Sequence, residues 1–228
     1  MKRLFKVCLF MLFVFAFSCD PGTTDLETPD DLIVAEAKTT SKQPAQIGSP
    51  FGITGSSTLH RNKNGITANF KAENLYPGAY TLWWVIWNKP GECEESGACL
   101  DTDFASADDV EVEVMYAGGH VVSNNGKANI SAHLNVDDAS ESINEDFFEL
   151  GTYGGLQAGN TFAAEVHLVL RTHGPVVPGI VNEQINSYEG GCDDPLQYGP
   201  FTEYPNVVGE CADIAAAVFP PVIPPPVE

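Results

Sequence analysis

Apolar and polar residues alternate with a period of two along most of this chain, and one stretch departs from the rule. Ile66, Ala68, Phe70 and Ala72 alternate with Thr67, Asn69 and Lys71, the mark of a half-buried strand. Asn62-Lys63-Asn64-Gly65 before it is a hairpin signal, because Asn and Gly accept positive φ. The stretch that departs is Gly78 to Asn88, which holds all three tryptophans and is the longest apolar run beyond the N-terminus. It lies between turn signals at Pro77-Gly78 and Asn88-Lys89-Pro90-Gly91, and it reads as the central strand of a β-sandwich. Tyr80, Leu82, Trp84 and Ile86 share one face, while Thr81, Trp83, Val85 and Trp87 share the other. Both faces are apolar. The strand is therefore covered on both sides, or it has one face in the core and one forming an aromatic platform; the first face is the core assignment, and Trp83 and Trp87 are expected to be mostly covered.

The remaining segments complete an all-β pattern. Val110 to Tyr116 predicts valines and Tyr116 inward with Glu111 and Glu113 outward, and Gly118-Gly119 reads as a bulge. Ser123-Asn124-Asn125-Gly126 turns the chain into Ala128–Leu134, where Ala128, Ile130, Ala132 and Leu134 share a face. Ser142 with Glu145 suggests a capping box and a short helix ended by Gly151. Thr161 to Thr172 predicts a second long strand with Phe162, Ala164, Val166, Leu168 and Leu170 inward. Val181 to Tyr188 suggests a helical turn, Asp213 to Phe219 a final strand, and residues 220–228 a Pro-rich tail. Together these argue an antiparallel β-sandwich, or a barrel-like variant, over residues 51–219 with short helical segments. The Cys-Trp-Cys arrangement of an immunoglobulin domain is absent.

Charge and cysteine use place the chain outside the cytoplasm. Lys2, Arg3 and Lys6 precede an apolar run from Val7 to Phe17, and Ala16-Phe17-Ser18-Cys19 follows, the layout of a cleavable export signal over residues 1–18. A cysteine directly after the small residue resembles the lipobox of bacterial lipoproteins of the Bacteroidetes type. That resemblance implies a lipidated Cys19, palmitate or a similar acyl chain on it, and a place in the cell envelope at the outer membrane or cell surface. An ordinary secretory signal with an incidental cysteine is the alternative. Residues 19–50 are rich in Thr, Asp, Pro, Ser and Ala and read as a flexible tether, with Leu32-Ile33-Val34 a possible docking strand. Loss of residues 1–18 removes three of the eleven Lys and Arg and none of the 31 acids, leaving a net charge of −23. Nucleic acid is excluded as a partner, since phosphate binding needs a basic surface. Cys93, Cys99, Cys192 and Cys211 remain, and in an oxidising compartment they predict two local disulfides, Cys93–Cys99 and Cys192–Cys211. A zinc site of four thiolates is the alternative pairing.

Candidate chemistry is sparse. His120, His133, His167 and His173 fall on predicted strands and could hold zinc or copper if the sheets bring them together, whereas separate hydrogen-bonded histidines need no metal; His60 stands apart. Glu165, His167 and Arg171 make the densest polar row, which suits either a pocket or the solvent-facing half of an edge strand, the latter being preferred. Trp83 and Trp87, with Glu165 and Arg171, are candidate contacts for a small molecule, glycan or peptide. Asp101-Thr102-Asp103 with Asp108 and Asp109 could bind calcium, although the order of a calcium loop is missing. No nucleophile elbow, phosphate loop or dinucleotide fingerprint is present. The segments Ala79–Pro90, Gly119–Val122 and Glu165–Pro175 resemble a group of exported bacterial β-domain proteins; the resemblance implies an exported β-domain and transfers no activity. Two readings stand: a lipid-anchored binding or structural module, which is preferred, and a histidine-dependent metalloprotein or metalloenzyme.

Overall fold

The computed structural model describes residues 40–95, 98–194 and 209–222. Two four-stranded antiparallel sheets face each other. The first contains β1 (Thr40–Gln46), β2 (Thr54–Asn62), β3 (Gly65–Glu73) and β6 (Lys127–Asn135), in the order β1-β2-β3-β6. The second contains β4 (Gly78–Trp87), β5 (Val112–Val122), β7 (Glu165–Thr172) and β10 (Ala212–Phe219), in the order β10-β7-β4-β5. A short parallel pair, β8 (Cys192–Asp194) with β9 (Gly209–Glu210), and two short helices, α1 (Ala107–Val110) and α2 (Val181–Asn186), complete it. The β-sandwich expected from the alternation is the fold.

The core lies where the pattern put it. Leu59, Ile66 and Phe70 of the first sheet meet Leu82, Trp84, Ile86, Leu168 and Leu170 of the second, all at 1% exposure or less. At the Asn62–Gly65 hairpin, Asn62 Oδ1 accepts the Asn64 N–H at 2.8 Å. A Cβ on Gly65 would stand 2.2 Å from the Leu134 carbonyl, so only glycine lets β3 approach β6 here.

Four expectations are corrected. The tether does not reach residue 50: β1 pairs with β2 from Thr40↔Asn62 to Gln46↔Ser56. Its polar, half-exposed residues hid it, and Pro44 is tolerated because an edge strand has a side that needs no N–H. Gly48 then exchanges both backbone hydrogen bonds with Ala216 of β10, so the sandwich closes like a barrel along that edge. Arg61 reinforces this edge: its guanidinium donates to the Thr161, Ala164, Phe219 and Pro220 carbonyls and to Gln43, and burial lowers its pKa to about 10. Cys19, residues 1–18 and Leu32–Val34 lie outside the described residues.

The second correction concerns β5. The extra residue is Ala117, since Leu82 pairs with Gly118 and Trp83 with Tyr116. Gly119 has a different task, seating α2, because a Cβ there would lie 1.8 Å from the Ile185 carbonyl. Third, the two faces of β5 are the reverse of the expectation: Glu113 is buried opposite Ile86 on the side of the first sheet, while Val112, Val114 and Tyr116 lie with Trp83 and Trp87 on the other side. The Glu113 carboxylate accepts the Ser142 hydroxyl and the N–H groups of Tyr153 (2.7 Å) and Gly155 (3.1 Å). Ser142 Oγ also accepts the Asn144 N–H (3.4 Å), and residues 144–148 form a single wide turn ended by Glu149 at φ 54°, not by Gly151. Fourth, β7 is not an edge strand; it runs between β10 and β4, so its Glu165–His167–Arg171 face is not open to solvent.

Candidate functional site

The outward face of the second sheet carries Trp83, Val85 and Trp87 from β4, Val112 and Val114 from β5, and Glu165, His167, Val169 and Arg171 from β7. Period-two geometry puts all of these on the side away from the first sheet. A face this apolar cannot be left in water, and connecting segments cover it. They supply Phe104 from the loop after the Cys93–Cys99 disulfide, Phe147 and Phe148 from the wide turn, and Tyr188 from beyond α2. Trp83 and Trp87 are 2% and 1% exposed, covered as expected, but by loops rather than by a second sheet.

The cover is incomplete. A cavity of about 440 Å³ remains between sheet and loops, floored by Trp83, Val85, Trp87, His167 and Val169 and flanked by Asp101, Asp213 and the β10 backbone up to Ala216. Five aromatic rings that line it form one open chain of contacts. Trp83 meets Tyr188 (centroids 5.2 Å, 80°), Tyr188 meets Phe148 (5.5 Å, 64°), and Phe148 stacks on Phe104 (5.6 Å, 29°). Phe104 in turn meets Trp87 (5.2 Å, 74°). The chain thus starts and ends on β4. Edge-to-face contacts of this kind add about 0.5–1.5 kcal/mol each to the area they bury.

The two tryptophans differ in their polar ends. Trp83 Nε1 donates to Thr81 Oγ1 (2.8 Å), Thr81 Oγ1 lies 2.8 Å from His173 Nε2, and His173 Nδ1 lies 2.9 Å from the Gly190 carbonyl. One proton arrangement satisfies all three: Nδ1–H donates to Gly190, and Nε2 accepts the Thr81 hydroxyl. His173 is therefore held neutral, and burial pushes its pKa down to about 4 against the raising effect of the Gly190 bond, with Arg171 adding to the fall. Trp87 Nε1 has no hydrogen-bond partner. Directly across from it in the ladder stands Glu165, whose Oε2 is likewise unpartnered.

Glu165 and Arg171 organise the cover. Glu165 Oε1 accepts the Cys99 N–H (2.9 Å) and contacts His167 Nε2 (2.7 Å), so it ties the disulfide loop to β7. Arg171 donates to the Tyr188 carbonyl (3.1 Å) and to Asp213 (2.9 Å), and its guanidinium lies 4.1 Å from the Tyr188 ring centre. Burial raises the Asp213 pKa above the ordinary carboxylate range; Arg171 opposes this, and Asp101 reinforces it. Both expected disulfides form, Cys93–Cys99 and Cys192–Cys211, with Cα separations of 5.3 and 5.5 Å.

The four histidines do not converge. His133 is exposed on the outward face of the first sheet, bonded to Thr67 and Asn135, and His120 lies on β5 opposite Tyr80. His167 faces the cavity, and His173 is buried in the network below Trp83. Among the described residues no possible metal-binding group contains more than one of them. His173 does lie near Cys192 and Cys211, but those sulfurs are joined and its Nδ1–H is committed to Gly190. The calcium candidates are also dispersed. Asp103 spends both oxygens on the Glu94 and Leu100 amides, Asp108 accepts the Tyr153 hydroxyl (2.5 Å), and Asp101 lies at the cavity.

Sequence reasoning found the floor and missed the walls. Phe104, Phe148 and Tyr188 sit in irregular segments, where no periodicity marks an aromatic as inward; three aromatics in otherwise acidic loops were the available signal. No protein-family model, curated protein or solved structure matches the chain.

Proposed function

We propose that the protein is a binding module displayed outside the cytoplasm, exported through residues 1–18, held to the bacterial envelope by a lipid on Cys19, and taking a small ligand into the cavity above Trp83 and Trp87. The observation that carries the reading is a space of about 440 Å³ lined by a chain of five contacting aromatics, within the size range of small-molecule pockets. The cavity is lined, among the described residues, by no serine, threonine, cysteine or lysine. Hydroxyl-, thiol- or amine-based attack by serine, threonine, cysteine or lysine thus has no residue in this lining, whose titratable side chains are Asp101, His167, Tyr188 and Asp213. The metal-dependent alternative, with zinc or copper on the histidines, loses its basis because His133 stands on the other sheet.

The test uses two simple apolar probes, indole and benzyl alcohol, followed by calorimetry on the soluble domain. Wild-type protein should bind at least one, and Val169→Phe, which fills the floor, should reduce the affinity at least about tenfold. Absence of binding to wild type, or equal binding by the filled variant, would overturn the reading. Anchoring is checked separately: Cys19→Ser should move the protein out of the membrane fraction, and unchanged retention would contradict the lipid anchor.

A further inference from the structure

We propose that the ligand of this cavity carries an organic cation, an ammonium group on a compact apolar body, held over the aromatic rings and balanced by carboxylates. The inference rests on the cavity being a binding site and adds the chemistry of its occupant.

Three features point the same way. First, aromatic faces carry negative quadrupole charge, and rings at steep mutual angles can surround a rounded cation on several sides. Trp83, Trp87, Phe104, Phe148 and Tyr188 all line the cavity, and the Trp83–Tyr188 and Trp87–Phe104 pairs meet at 80° and 74°. Second, the charged groups beside the cavity are mainly acidic. Asp101 and Asp213 line it, and Glu165 lies behind, paired across the ladder with Trp87 and with one carboxylate oxygen unpartnered. Arg171, the guanidinium close by, and Asp213 balance each other, and Arg171 stacks on Tyr188, which leaves Asp101 as the lining acid without an ion pair among the described residues. Among the described lining residues there is no lysine or arginine. Third, the mature chain carries a net charge of −23, which raises the local concentration of cations at its surface and repels anions.

An anionic or neutral ligand of the same shape gains the apolar burial and loses both other terms. That difference is measurable with probes that share a shape. Choline and 3,3-dimethyl-1-butanol differ by a nitrogen cation in place of carbon, and phosphocholine adds an anion to the same head group. Calorimetry on the soluble domain should give choline at least about a tenfold tighter binding than the alcohol, with phosphocholine weaker than choline. Asp101→Asn, an exposed position whose change leaves the core intact, should weaken choline several-fold and leave the alcohol unchanged. Equal binding of choline and the alcohol, or tighter binding of phosphocholine, would overturn the cationic assignment. So would the failure of choline under conditions where indole binds, and that result would leave the cavity itself standing. Failure of wild type to bind either indole or benzyl alcohol would instead remove the cavity reading on which this one depends.

Discussion

The two sheets of this protein share a core and differ on their outer faces. Along β6 exposed and buried residues alternate without exception, and Asn129, Ser131 and His133 meet water directly. Along β4 all ten residues are buried. An outward face that obeys the alternation needs nothing further, and the first sheet has nothing packed on that face among the described residues. An outward face that breaks it must recruit cover. In the second sheet the cover comes from irregular segments held by a disulfide, by Glu165 and by Arg171. Loops pack less completely than a second sheet would, and the space they leave is the candidate site. The departure from pattern and the site have one cause.

This contrast can be tested by substitution, and the largest effect belongs to the shared core. Trp84→Ala should cost about 3–5 kcal/mol in urea unfolding, while His133→Ala on the bare face should stay within about 0.5 kcal/mol. A small loss at Trp84 would mean that the sheets are not closely packed.

Acid should act on the covered side. The unfolded chain's His173 takes a proton near its ordinary pKa of 6.5, while the folded protein resists protonation until about 4. The unfolded state therefore binds more protons between these values. Stability should be full above about pH 6.5, fall by up to about 3 kcal/mol as the pH drops to about 4, and level off below it. His173→Gln should flatten that part of the profile; an unchanged slope in the variant would assign the acid sensitivity elsewhere.

Removing the Cys93–Cys99 bridge as a double alanine variant should cost about 2 kcal/mol, from the entropy of a short loop. It should also weaken indole binding, because Phe104 follows this loop and Glu165 holds it to β7 at Cys99. A variant that loses stability and keeps full affinity would separate the loop from the site.

The smallest effects distinguish the two cavity tryptophans. Trp83→Phe and Trp87→Phe remove the same indole volume from the covered face, but only Trp83→Phe also takes a donor from Thr81, so it should cost about 1 kcal/mol more than Trp87→Phe, whose N–H has no partner. Equal costs would contradict the assigned hydrogen bonds.

Much of the fold was legible because burial on one side leaves a period of two in the sequence. The core faces of β3, β4 and β6 could be read residue by residue, and that of β7 at Val166, Leu168 and Leu170. Phe162, expected inward on the same strand, precedes β7 in a turn and lies outside the core. Strand β1 could not, since an edge strand with half-exposed residues carries little apolar signal. Glu113 was misplaced because alternation separates the two faces of β5 but does not say which of them meets the first sheet, nor that amide donors can satisfy a buried carboxylate there. At the site, the sequence singled out Trp83, Trp87, Glu165 and Arg171, which do share one face of the second sheet. It also grouped four histidines that the register sends to different places, because sheet pairing is a long-range property. Phe104, Phe148 and Tyr188 were missed for the same reason: their inward direction is set by tertiary packing alone.

The central claim is that ligand enters above the outer face of β4 and not between the sheets. All three tryptophans lie on this strand, with Trp83 and Trp87 at the cavity and Trp84 in the core, so one label serves as probe and internal control. Fluorine NMR of the fluorotryptophan-labelled domain, titrated with indole or choline, reads each position separately. The Trp83 and Trp87 resonances should shift with a common saturation curve while that of Trp84 stays in place. A Trp84 shift of comparable size, or three unmoved resonances in the presence of calorimetrically demonstrated binding, would contradict the account.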